Sequence, residues 1–205
     1  MTGTATLDPR RGRRGCLTLA AIFLLPLASA FWLYYGDERW RPAGAANQGE
    51  LIDPARPLPT LALVDADGTA FAGDLLRGRW TMLYVGDGRC DARCRQVLYL
   101  TRQTRIALNK DSDRVQRVFL ATGPCCDRAY FGAEHPDLSV AVLTGEQLAA
   151  FMQQFPSHDG VPITETGRIY LVDPLGNLMM SYPAAAPDKA LLIDLKRLLK
   201  LSHIG

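Results

Sequence analysis

The sequence predicts an α/β three-layer sandwich preceded by a single N-terminal transmembrane helix. Three features predict it. Residues 17–35 carry no charge, two continuous apolar runs of strand length alternate with helical periodicity, and the chain closes on a turn-rich hairpin and an amphipathic helix. A length of 205 residues suits one domain plus an appendage. With 48% hydrophobic and 21% charged residues, wholesale disorder and low-complexity architecture are excluded. A net charge of +2 is too small for a nucleic-acid binder. Five cysteines are too few for a disulfide scaffold, so any bridge serves a site or a local staple.

Residues 1–16 read as a basic cytoplasmic tail, in which Arg10, Arg11, Arg13 and Arg14 oppose one acid, Asp8. Residues 17–35, LTLAAIFLLPLASAFWLYY, make about 28 Å of helix, close to the hydrocarbon thickness of a bilayer. Pro26 is tolerated in such a helix, and Phe31, Trp32, Tyr34 and Tyr35 form an interfacial aromatic belt at one end. The arginines should stay cytoplasmic. The expected topology is therefore single-pass in a bacterial inner membrane, with the C-terminal domain periplasmic. Ala28-Ser29-Ala30 has the form of a signal-peptidase site, but the FWLYY directly after it favours retention as an anchor. Cys16 precedes the apolar run and reads as a bystander rather than a lipoprotein cysteine.

Residues 36–57, rich in Pro, Gly, Ala and Asn, read as a linker, and residues 58–205 as one domain. In that domain Thr60–Val64 and Thr69–Phe71 flank a D-A-D-G turn as an opening hairpin. Trp80–Val85 is a buried strand, Arg93–Leu108 a helix, Val115–Ala121 a strand and Ser139–Leu143 a short strand. Glu146–Phe155 is helical. Arg168–Val172 and Leu178–Tyr182 pair across the D-P-L-G-N turn, and Asp188–Leu201 is an amphipathic helix with five leucines on one face. This order specifies a sandwich of thioredoxin type.

The chemistry centres on Cys90-Asp91-Ala92-Arg93-Cys94, which follows a strand and Gly86-Asp87-Gly88 and opens a helix. Free N–H groups and partial positive charge at a helix N-terminus stabilise a thiolate, and Arg89, Arg93 and Arg95 add to that field. Four-residue spacing puts both sulfurs on one face, close enough to form a bridge or to grip one soft ion such as Cu(I). As a redox pair, Cys90 reads as the more exposed thiolate and Cys94 as its resolving partner.

The anchor, the Pro-rich entry, the D-G hairpin, the strand into C-x-x-x-C, and Tyr170-Leu171-Val172-Asp173-Pro174-Leu175-Gly176 together resemble the SCO/SenC family. The resemblance covers roughly residue 58 to the end. It implies a membrane-anchored thioredoxin-fold protein that delivers copper to, or reduces thiols at, the binuclear copper site of cytochrome c oxidase. It also implies an oxidase subunit or its copper-site assembly factors as partners. Cys90 and Cys94 then match the family's cysteine pair, as redox residues, as a disulfide and as copper ligands. Asp91 stands where the family has proline, and a gap-free match puts Glu165 at the family's copper histidine. A carboxylate is a poor ligand for Cu(I), so the chain reads as a divergent member that kept the dithiol and lost the metal histidine.

Three histidines and a second cysteine pair are the candidates to replace that ligand. His203 ends the last helix, His135 reads as solvated in its loop, and His158 as an exposed turn residue within reach of swinging toward the cysteines. Cys125-Cys126 follow the strand parallel to Trp80–Val85, so they could approach Cys90 and Cys94. They are read as small buried residues, a vicinal disulfide, extra soft ligands or one side of a thiol exchange. Val161-Pro162 is a candidate for the cis-proline that faces the cysteines in thioredoxin folds. Arg93, Arg95, Arg102 and Arg105 form either a solvated helix face or a face for an acidic partner. Three functions remain open on these residues: oxidase assembly factor, general periplasmic thiol-disulfide oxidoreductase, and scaffold with a structural bridge.

Overall fold

A computed structural model describes residues 9–36, 46–143, 145–186 and 189–204. The chain divides into two units, Met1–Ala46 and Asn47–Gly205. The first contains helix α1, Pro9–Tyr35. Within it, Gly15–Leu33 has mean hydropathy 2.1 and none of it is buried, so by length and composition this helix is able to cross a membrane. Ser29 Oγ donates to the Pro26 carbonyl at 2.9 Å.

The second unit is a seven-stranded sheet covered on both faces. Its strands are β1 Glu50–Pro57, β2 Val64–Asp65, β3 Trp80–Asp87, β4 Val115–Thr122, β5 Leu138–Val142, β6 Ile169–Val172 and β7 Asn177–Tyr182. They lie in the order β1-β7-β6-β3-β4-β5-β2. β3, β4 and β5 are mutually parallel, and the remaining pairings are antiparallel. The helices are α2 Ala92–Ala107, α3 Arg128–Glu134, α4 Gly145–Met152, α5 Ile163–Thr166 and α6 Ala190–Leu201.

Strand periodicity assigns the layers. Trp80, Met82 and Tyr84 point to one face and pack with Leu98 of α2, Phe131 of α3 and Leu195 of α6. Leu83 and Val85 point to the other, against Phe151 of α4 and the apolar side chains of residues 58–76. A central parallel strand buried on both faces must be continuously apolar, which is why WTMLYV carries no alternation.

Glu50–Pro57 departs from the expected linker, because it is an edge strand paired with β7. The register shifts between Leu51 and Arg56, and Pro54 sits in that interruption, where a missing N–H costs no ladder bond. The entry to β1 is fastened by buried Asp194 of α6, whose carboxylate accepts from Gln48 N (2.8 Å), Gly49 N (2.9 Å) and Tyr182 Oη (3.0 Å). Residues 37–45 of the expected linker lie outside the described residues. The opening hairpin is minimal, with β2 pairing to β5 and closing on a single bridge from Val64 to Ala70.

Candidate functional site

The strand β3 ends in Gly86-Asp87-Gly88, and the chain turns there so that Cys90 precedes α2. Asp87 Oδ1 accepts from Arg89 N at 2.8 Å, and Cys90 N donates to Asp87 O at 3.1 Å. Cys90 has φ +48°, a region side-chain-bearing residues adopt rarely, and Arg95 Nε holds its carbonyl at 3.3 Å. Asp91 is the N-cap of α2, its carboxylate accepting from Cys94 N at 2.9 Å. The departure from proline at this position therefore has a structural use: the cap satisfies an orphan donor at the cysteine itself.

Cys90 and Cys94 form a disulfide with Cα atoms 5.0 Å apart, inside the range such a bridge requires. Both are 2% exposed, so Cys90 is not the more exposed sulfur that its position ahead of the helix suggests. Instead Cys94 reaches a cleft of about 470 Å³ together with Tyr84, Asp87, Arg89, Asp91, Arg93, Val161, Thr164 and Glu165. Burial, aided by the Asp91 carboxylate and opposed by Arg93, pushes the Tyr84 phenol up to about 12, so it stays a neutral hydroxyl beside the sulfur. Arg93 crosses the cleft and donates to the Glu165 carbonyl at 2.8 Å. A Cβ on Gly167, at φ +65°, would lie 2.7 Å from Arg93 Cδ, so a side chain there would have to displace Arg93.

Replacing Asp91 by asparagine keeps the cap and removes the negative charge between the cysteines. The thiolate is then favoured, and the reduced protein should be alkylated by iodoacetamide about 3–10-fold faster at neutral pH.

Cys125 and Cys126 follow β4 and are bonded to each other across a cis peptide, with Cα atoms 3.2 Å apart. They pack against the core cluster that includes Cys90 and Cys94, as the parallel pairing of β3 and β4 requires.

None of the histidines lines the Cys94 cleft. His203 is exposed beyond α6. His135 is 3% exposed rather than solvated, lying between Arg117, 3.3 Å from Nδ1, and the Tyr130 hydroxyl, 3.1 Å from Nε2. A guanidinium only donates, so Nδ1 is the acceptor and Nε2 carries the proton. His158 lies half-buried, its Nδ1 3.8 Å from the Glu50 carboxylate, and so faces β1. Glu165 is thus the side chain at the family's histidine position that does reach the cleft. Among the described residues, no three His, Cys, Asp or Glu side chains gather to hold a metal ion. The donor set of two sulfurs and an exposed carboxylate does not match the three soft ligands expected for Cu(I).

One further expectation is corrected. The Val161–Pro162 bond is trans and Pro162 is the N-cap of α5, while Val161 lines the cleft. The α2 arginines have partners within the domain, and Arg93 and Arg95 are exposed. Arg95 stacks on the Tyr130 ring at 4.3 Å, Arg102 pairs with Glu134 at 3.8 Å, and Arg105 donates to Val115 O at 2.9 Å.

Burial first, then the charge of Arg117, holds the His135 imidazole below its ordinary value; burial and Arg168 do the same to His158. Both rings are neutral when folded and take up protons more readily when unfolded, so stability is complete above about pH 6.5 and falls as pH drops toward the folded values. Thermal unfolding by circular dichroism should show a flat melting temperature from pH 8 to 7 and a decline from 6.5 to 5. That decline should shrink in His135→Gln.

Residues 80–202 match a family model described as the transmembrane-like, thioredoxin-like, C-terminal domain. A Stutzerimonas stutzeri protein to which copper binding is ascribed is 28% identical over 182 residues, covering 80% of this chain and 84% of its own. Among solved structures, copper-bound ScoI of Bradyrhizobium japonicum aligns with a TM-score of 0.52 and 23% identity over 70% of this chain and 98% of its own. BsSco belongs to the Sco family of cytochrome c oxidase assembly proteins, and a disulfide switch was identified in it. It aligns with a TM-score of 0.54 and 15% identity over 75% of this chain and 99% of its own. The likeness to these structures bears out the thioredoxin-like fold expected from the element order.

Proposed function

The chain belongs to the family of transmembrane-like, thioredoxin-like C-terminal domains, and from that premise we propose that it is a membrane-anchored, periplasmic Sco-like assembly factor for cytochrome c oxidase. Its Cys90–Cys94 pair handles thiols at a copper site, keeping the client's cysteines reduced. The observation that carries this reading is the disulfide itself: a buried pair at the mouth of α2 in a Sco-like fold, with one sulfur on a cleft. Reduced, the pair gives up two electrons and two protons to a client disulfide and returns to the bridged form. Helix α1 supplies the anchor, and the arginines in its first turns supply the orientation.

Thiol handling is preferred over copper delivery because the cleft offers no third soft donor beside the two sulfurs. The scaffold reading requires a bridge that never opens, and the general oxidoreductase reading requires activity on unrelated disulfides.

Redox titration with glutathione and dithiothreitol buffers, followed by Cu(I) titration of the reduced protein, tests the choice. A potential above about −300 mV with weak copper retention is expected. A lower potential with no copper bound would favour the scaffold, and tight one-to-one copper lost in Cys90→Ser would favour delivery.

A further inference from the structure

Cys125–Cys126 lies outside the thiol chemistry just described, yet its loop touches the loop of the cysteine pair that performs it. β3 and β4 are parallel and paired through Asp87 and Thr122, so the loops after them leave the same edge of the sheet. They meet at Gly88. A Cβ there would fall 2.3 Å from the Pro124 carbonyl oxygen and 2.8 and 2.9 Å from Cys125 Cα and Cβ, so a side chain would push the two cysteine loops apart.

Accessibility separates the two pairs. Cys90 and Cys94 are each 2% exposed, whereas Cys125 and Cys126 are half-buried. The second pair lines a separate depression of about 350 Å³ with Gly88, Arg89, Pro124 and Asp127. Arg89, whose guanidinium pairs with the Asp87 carboxylate, borders both this depression and the cleft that Cys94 reaches. A client approaching Cys94 and a reductant approaching Cys125–Cys126 would therefore use different openings.

We propose that Cys125–Cys126 is a second redox centre, relaying two electrons from an external dithiol protein to the buried Cys90–Cys94 disulfide. The relay rests on the reading that Cys90–Cys94 cycles between bridge and dithiol. The external dithiol attacks the Cys125–Cys126 bond, leaves as its own disulfide, and yields two thiols on this chain. One of these, as thiolate, attacks a sulfur of Cys90–Cys94. That bond breaks, and a mixed disulfide joins the two loops. The remaining thiol of the outer pair attacks the mixed disulfide, re-forms Cys125–Cys126 and releases the second sulfur. The net result is one dithiol oxidised, Cys90–Cys94 reduced, two protons transferred and the outer pair restored.

The full chain in detergent micelles, reduced by thioredoxin and separately by a small phosphine, tests this, with alkylation and peptide mass mapping assigning each sulfur. In the Cys125→Ser/Cys126→Ser variant, reduction of Cys90–Cys94 by thioredoxin should slow at least about tenfold, with the phosphine rate changed less than about twofold. Four further variants, each keeping one cysteine from each pair, should include at least one that forms an inter-loop disulfide. Unchanged thioredoxin rates, or an equal slowing with both reductants, together with no inter-loop disulfide in any variant, would overturn the relay and leave the Cys90–Cys94 reading intact. A wild-type Cys90–Cys94 bridge that resists both reductants would overturn that reading and the relay with it.

Discussion

A Cys94→Ser chain is expected to fail to support oxidase assembly, with cytochrome c oxidase activity falling to that of cells lacking the protein. Cys94 is the sulfur on the cleft with Tyr84, Arg93 and Glu165, so under the proposed function it is the one that meets a client disulfide. The companion variant should behave differently. In Cys90→Ser, Cys94 remains able to bond a client cysteine, but no second thiol is present to release it. A covalent complex should therefore accumulate in Cys90→Ser, visible as a reductant-sensitive band on a non-reducing gel, and be absent in Cys94→Ser. Complex in Cys94→Ser alone would make Cys90 the attacking sulfur. Complex in neither, with assembly intact, would remove the redox role from the pair.

The largest structural effect is expected at Arg117. This side chain is wholly buried in β4, yet four groups receive its guanidinium. Leu98 O lies at 2.7 Å, Asp137 Oδ1 at 2.9 Å, Thr101 Oγ1 at 3.1 Å and His135 Nδ1 at 3.3 Å. Burial pulls its pKa down and Asp137 pushes it back up, leaving the group a cation held by its partners. Arg117→Ala strands these acceptors and opens a cavity, at a cost of about 3–5 kcal/mol. The melting temperature should fall by roughly 10 °C. Arg117→Met fills the space without the charge and should recover part of that loss. The network continues from His135 through Tyr130 to Arg95, which holds the Cys90 carbonyl, so Arg117→Ala should also raise the rate at which Cys90–Cys94 is reduced.

The element order was readable because apolar runs and turn chemistry are local. Trp80–Asp87, Val115–Thr122 and the hairpin around Asp173-Pro174 all stand within a residue or two of where periodicity puts them. The turn is explicit in its side chains, with Asp173 Oδ1 accepting from Leu175 N (2.9 Å) and Asn177 N (2.8 Å). β1 was not readable. Its D-P-A-R-P core has the composition of a linker, and it is a strand because β7 leaves an edge open and Asp194, some 145 residues away, anchors its entry. α3 was also missed, being a short helix started by a single cap, Asp127 to Tyr130 N at 3.1 Å.

At the site, sequence alone picked out Cys90 and Cys94, because a strand, a glycine turn and a helix start in that order leave few other places for chemistry. The resemblance to the SCO/SenC family marked Glu165 and Asp91 as departures, and parallel strands put Cys125-Cys126 among the candidate neighbours. Spacing along a chain, however, says nothing of which sulfur meets a cleft, whether a histidine is solvated, or where an arginine's partners lie. Those depend on long-range packing. His135 is buried because Arg117 and Tyr130 close on it from β4 and α3, and Cys94 reaches the cleft because α5 brings Glu165 opposite α2. Local chemistry therefore determined what the residues are able to do, and only the folded sheet, by bringing distant segments within hydrogen-bond range, decided which of them do it together.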